Sequence, residues 1–135
     1  MTTAALVAPA PYVPVAVYFA ESDCVEYVKE DTFCVYDRVD NFLTLIHDAT
    51  KTRLIGFKLK GFKAVFNTHL KPIYKLNDEQ FVTLVSAIEA ICTEMGDALF
   101  ADARVERAYR AARDLAANDN VQLSAEYAES ARRAA

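Results

Sequence analysis

Apolar and polar residues alternate through the first half of the chain and change to a helical period after Asn77. The densest apolar stretch is Phe42–Phe66, and the remaining elements can be placed outward from it. Phe42–His47 and Leu54–Leu59 are β-prone, and the intervening Asp48–Arg53 is polar with no long apolar residue, which predicts a β-hairpin. A turn centred between Thr50 and Lys51 sets Phe42 opposite Leu59, Thr44 opposite Phe57 and Ile46 opposite Ile55 on one shared face. Leu43, Leu45 and Leu54 then fall on a second, mixed face with His47, Gly56, Lys58 and Lys60. Gly56 and Gly61 stand inside the strand pattern, where glycine marks a bulge or a close backbone approach. Lysine parity changes between Lys60 and Lys63, which predicts a bend or bulge at Gly61.

Upstream, Val15–Phe19 alternates, Glu21–Asp23 turns, Cys24–Val28 returns, Lys29–Asp31 turns again and Phe33–Tyr36 forms a further strand. Downstream, Asn77 or Asp78 is placed to cap a helix carrying Phe81, Val85, Ile88, Cys92 and Met95 on one stripe, flanked by Leu84 and Ile91. Gly96 stands at its C-terminal cap. A second helix is expected from about Asp97 to Ala117, with Phe100, Val105, Ala108, Tyr109, Ala112, Leu115 and Ala116 as its weaker stripe. Glu106 with Arg110, and Arg110 with Asp114, are its four-apart ion pairs. A short third helix is expected over 124–134. These elements predict an α+β fold: an antiparallel meander of four to five strands in the N-terminal half, packed on one face by two to three C-terminal helices. The expected organisation is an extended arm over 1–14, punctuated by Pro9, Pro11 and Pro14, a single domain over 15–117 and a peripheral tail over 118–135. The face holding Leu43, Leu45, Leu54 and Tyr36 is more apolar than a solvated face requires, so a homodimer through that face or through the second helix is expected.

Charge adds one feature. Residues 21–48 hold eight acidic and two basic side chains, 49–77 hold seven basic and no acidic ones, and 78–135 hold eleven acidic and six basic ones. Every lysine lies between Lys29 and Lys75. Adjacent acidic and basic strands explain this without a ligand, and the overall charge of −4 argues against nucleic acid. At 135 residues, 53% apolar and 25% charged, the chain is long enough for a core of its own. The first twenty residues lack the basic start of a secretion signal, and no stretch is apolar enough to cross a membrane, so a cytoplasmic location is expected. Cys24, Cys34 and Cys92 form no CxxC pair and suggest neither a disulfide framework nor a zinc site.

Candidate chemistry is sparse. His47-Asp48 is the most suggestive pair: a histidine at a strand end beside a carboxylate, with Cys34, Asp37 or Asp40 as further members of a set. The competing reading is a turn-forming aspartate beside a surface histidine, since successive strand residues point to opposite faces. His69 stands alone in a polar stretch. Cys24 or Cys34 would act as a nucleophile only beside a base. Arg53, Lys58, Lys60 and Lys63 interleave with Phe57, Phe62 and Phe66, which is the composition of a single-stranded nucleic-acid platform and equally that of a half-buried edge strand. No phosphate-cradling glycine pattern is present, and no cofactor or metal is expected.

Tyr36-Asp37, Asp40 and the strand Leu54-Ile55-Gly56-Phe57 resemble the pattern of a family of small uncharacterised bacterial domains, with a gap one residue shorter between the two aspartates. The resemblance covers about a fifth of the chain and leaves the helical C-terminus outside. It implies a small antiparallel sheet and carries no known chemistry. Taken together, the chain reads as a non-enzymatic homo-oligomeric module that binds a protein partner. One alternative is a ligand-binding protein or enzyme with a pocket between sheet and helix around His47. Another is a nucleic-acid-binding regulator using residues 53–63.

Overall fold

The computed structural model describes residues 14–65, 68 and 81–124. The expected architecture is the one observed: an antiparallel sheet in the N-terminal half, with helices packed against one face. Among these residues, five strands form one sheet: β1 (Val17–Phe19), β2 (Cys24–Val28), β3 (Cys34–Arg38), β4 (Leu43–Asp48) and β5 (Leu54–Lys60), in the spatial order β1-β2-β5-β4-β3. β3, β4 and β5 run as a meander, while β1 and β2 form a hairpin that folds back beside β5, a Greek-key connection. Residues 29–33 therefore cross the end of the β4–β5 hairpin. Arg53 secures that crossing with two hydrogen bonds to the carboxylate of Glu30, at 2.5 and 2.8 Å.

The hairpin turn lies where the polar run predicts, but the register beyond it differs. His47 pairs with Leu54, as a turn centred between Thr50 and Lys51 requires, and the next pair is Ile46 with Gly56. β5 thus carries one extra residue, Ile55, and this bulge shifts every later pair by one: Leu45 faces Phe57, Thr44 faces Lys58 and Leu43 faces Leu59. The shift exchanges the faces. Leu43 and Leu45 join Phe57 and Leu59 in the core, so the expected pairing of Phe42, Thr44 and Ile46 with Leu59, Phe57 and Ile55 is corrected. The premise of an apolar outer face built on Leu43 and Leu45 falls with it. The bulge sits beside Gly56. Gly61 is the bend that ends β5, at φ 71. A Cβ on Gly56 would collide with the carbonyl oxygen of Tyr27 and lie 3.0 Å from Cα of Val28, so β2 approaches too closely for any side chain there.

α1 (Phe62–Val65) follows Gly61 directly, where the apolar run reads as continuing strand. β6 (Phe81–Thr83) pairs antiparallel with β7 (Gln122–Ser124). Between them stand α2 (Leu84–Met95), a 3-10 turn (Gly96–Ala101) and α3 (Ala103–Asn118). α2 begins later than its stripe predicts: the Thr83 side chain caps it, accepting from the Ser86 N–H, and Phe81 lies in a strand. The buried face is accordingly Leu84, Ala87, Ile88 and Ile91, while Val85, Cys92 and Met95 pack at its margin. The expected caps Asn77 and Asp78 lie outside the described residues. Gly96 closes α2 at φ 55, donating its N–H to the Cys92 carbonyl. Asp102 caps α3, whose Ala108, Tyr109, Ala112, Leu115 and Ala116 are buried as expected. Phe100, in the 3-10 turn, is instead 67% exposed. The helix expected over 124–134 lies outside the described residues except for Ser124, which ends β7.

One cluster joins Val25 and Tyr27 of β2, Leu43 and Leu45 of β4, and Phe57 and Leu59 of β5 to Phe62, Leu84, Ile88, Tyr109, Ala112, Leu115, Val121 and Leu123. The core therefore takes in two residues beyond 117. Full burial of a large apolar side chain stabilises by about 1.5–3 kcal/mol, so these pairings specify which sheet face the helices cover.

Candidate functional site

The β3–β4 register sets Cys34 opposite Asp48 and Val35 opposite His47. Cys34 and Asp48 therefore share one sheet face while His47 shares the other with Val35, so the three candidates do not converge. The Asp48 carboxylate is already committed to the hairpin turn. It accepts from the N–H groups of Thr52 at 2.8 Å and Arg53 at 3.2 Å, and from both threonine hydroxyls, Thr50 and Thr52. Partial desolvation pushes its pKa up, and these donors outweigh it, holding the group below the usual aspartate value. Such a carboxylate orders a turn and is a poor base. Nδ1 of His47 is buried and has no hydrogen-bond partner. Among the described residues no group of three or more His, Cys, Asp or Glu side chains could hold a metal ion.

The basic candidates are likewise dispersed. Arg53 sits at the hairpin end of β5, paired with Glu30 and, at 3.6 Å, with Asp48. Lys58 lies in mid-strand between Glu26 of β2 and Thr44 of β4. Lys60 is at the opposite end of β5, roughly 20 Å from Arg53 at strand rise. Lys63 belongs to α1, where its N–H donates to the Asp23 carboxylate at 2.9 Å. Arg53, with two carboxylate partners, and Lys58, beside Glu26, do not form a uniform cationic platform with the other two.

Several carboxylates, Asp23 and Asp40 of the acidic stretch 21–48 and Asp119 outside it, accept from tyrosines. Tyr18 donates to Asp23 at 2.8 Å and Tyr109 to both oxygens of Asp40 at 2.7 and 3.0 Å, while Tyr27 donates to Asp119 of the C-terminal region at 2.8 Å. Burial, reinforced by the neighbouring carboxylates, raises Tyr18 and Tyr109 well above the usual phenol value. Asp40 also accepts from the N–H groups of Phe42 and Leu43, so one carboxylate closes the β3–β4 turn and ties it to α3. These are architectural bonds between elements distant in sequence.

What the structure does bring together is an open strand edge. β3 is a terminal strand of the sheet, and no described strand pairs with its outer side. It contains no lysine or proline and pairs with β4 in a regular run of five. Phe33, just before it, is 79% exposed, and Tyr36 within it is 50% exposed. On the face away from the helices the Tyr36 hydroxyl reaches Glu26 of β2 at 3.3 Å, so its ring lies across β4 and β5. Burial and the Glu26 charge push its pKa up to about 12. This edge was not singled out from the sequence, where the available signal was Phe33, a large apolar residue next to the turn Lys29–Asp31. No protein-family model, curated protein or solved structure matches the chain.

Proposed function

We propose that the protein is a non-enzymatic interaction module that assembles as a homodimer by pairing β3 with β3 of a second copy. The observation that carries this reading is the outer edge of β3, which no described strand pairs, beside the exposed Phe33. Folded proteins commonly protect terminal strands with charge, proline or a bulge; β3 has neither proline nor bulge, and its two charges, Asp37 and Arg38, stand together at its end. Antiparallel pairing about Tyr36 sets that residue opposite its counterpart, Val35 opposite Asp37 and Cys34 opposite Arg38. An aromatic cross-strand pair such as Tyr36 with its counterpart contributes about 0.2–1 kcal/mol beyond the backbone bonds. The dimer is then a ten-stranded sheet continuous through both copies. A cytoplasmic setting is part of the same reading. It is supported only by the absence, among the described residues, of a helix long and apolar enough to cross a membrane. A protein partner with an extended segment would use the same edge by strand addition.

Light scattering after size exclusion tests this on the full chain and on Val35→Asp. The substitution sets a second carboxylate opposite Asp37 of the other copy at both symmetry-related positions of the proposed pairing. The expected result is a dimer for the native chain and a monomer for the variant. A native chain that is monomeric at high micromolar concentration contradicts the proposal.

A further inference from the structure

A cavity of about 460 Å³ lies between α2 and α3 and is walled on one side by the 3-10 turn. Its size falls within the range of small-molecule sites, roughly 300–1,000 Å³. None of its lining residues lies on β3.

The lining has an apolar part and a charged part. Leu99 and the exposed ring of Phe100 form the apolar wall, and no residue of the turn that carries them is buried. Cys92 and Tyr109 line the inner side, the first half-buried and the second buried. Two charges are already engaged: Arg110 pairs with Glu106 at 3.5 Å, one helical turn away. Arg113 is less committed, since its ion pair is a 3.9 Å approach to the neighbouring, 63% exposed Asp114 side chain. Glu89 stands on α2, the opposite wall. Burial pushes the Cys92 thiol up, Arg113 pulls it down, and Glu89 and, from the β3–β4 turn, Asp40 push it up, so charges of both signs act on the inner side of the cavity.

We propose that this cavity binds a small zwitterion with an apolar body, of the class of the aromatic and large aliphatic α-amino acids. The ligand's carboxylate meets the guanidinium of Arg113, its ammonium meets Glu89, and its side chain covers Phe100 and Leu99. A simple anion would gain Arg113 and be repelled by Glu89. A simple cation would meet the reverse. Only a ligand carrying both charges is matched at both walls.

The test is an amide NMR titration of the full chain with L-phenylalanine, phenylacetate and phenethylamine as probes. Saturable shifts with L-phenylalanine are expected at Cys92, Phe100 and Arg113, with both single-charge analogues binding more weakly. Arg113→Gln and Glu89→Gln should each weaken L-phenylalanine by about tenfold, while amides remote from the cavity keep their native positions. Absence of saturable shifts at millimolar L-phenylalanine overturns the proposal. So does unchanged affinity in both variants, or equal binding of a single-charge analogue. Oligomeric state does not enter these readouts, so this result and that for β3 are independent.

Discussion

At Gly56 the backbones of β5 and β2 approach so closely that a β-carbon would collide with the Tyr27 carbonyl. Gly96 poses a different constraint: its surroundings are open, but its φ of 55° disfavours any L side chain. Gly56→Ala is therefore expected to lower unfolding stability by about 3 kcal/mol, because backbone has to move. Gly96→Ala should cost about 1–3 kcal/mol, from conformation alone, because φ 55° with ψ −130° is a region that essentially only glycine adopts. Urea titration of both variants checks this, and a Gly56→Ala loss under about 0.5 kcal/mol would contradict the close approach at Gly56. Asp48 makes a second prediction at this scale. Its folded pKa lies below its unfolded value, so the stability it adds is fully present above the unfolded carboxylate pKa of about 3.9. That contribution is lost as pH falls through the folded value. Asp48→Asn should then be less stable than the native chain at neutral pH, with the difference shrinking below about pH 4. A difference that stays constant down to pH 3 would show that charge plays no part in the turn.

At the scale of elements, what was legible depended on whether the signal was local. The strands around Val25, Leu45 and Phe57 follow from alternation, and the hairpin turn follows from the polar run Asp48–Arg53. The register did not follow, because Leu54-Ile55 is apolar at both positions and alternation cannot reveal which residue the bulge inserts. α2 was legible in its centre and C-cap. Its start was misplaced because Phe81 fits the helical stripe and also a three-residue strand, and only pairing with Gln122–Ser124 decides between them. The candidate pair His47-Asp48 illustrates a further limit. Adjacency in sequence placed the two on opposite faces, and the donors that engage the Asp48 carboxylate come from its own turn. The open edge of β3 depends on strand order, which a connection of residues 29–33 does not disclose.

At the scale of the whole molecule, the Greek-key return of β2 beside β5 leaves β3 as a terminal strand, paired on one side with β4 of the central hairpin and on the other with no described strand. Tyrosine–carboxylate bonds tie the β1–β2 turn, the β3–β4 turn and the end of α3 to the rest of the domain, which gives Asp23, Asp40 and Asp119 architectural roles. In the proposed assembly a second copy completes the sheet at β3. An isotope-filtered NOE spectrum of a mixed sample, half labelled and half unlabelled, reads that contact directly. Cross-peaks between the copies are predicted among the backbone protons of β3, at Val35, Tyr36 and Asp37, centred on the Tyr36 α-proton. An absence of intermolecular cross-peaks, or their appearance only at α2 and α3, would contradict it.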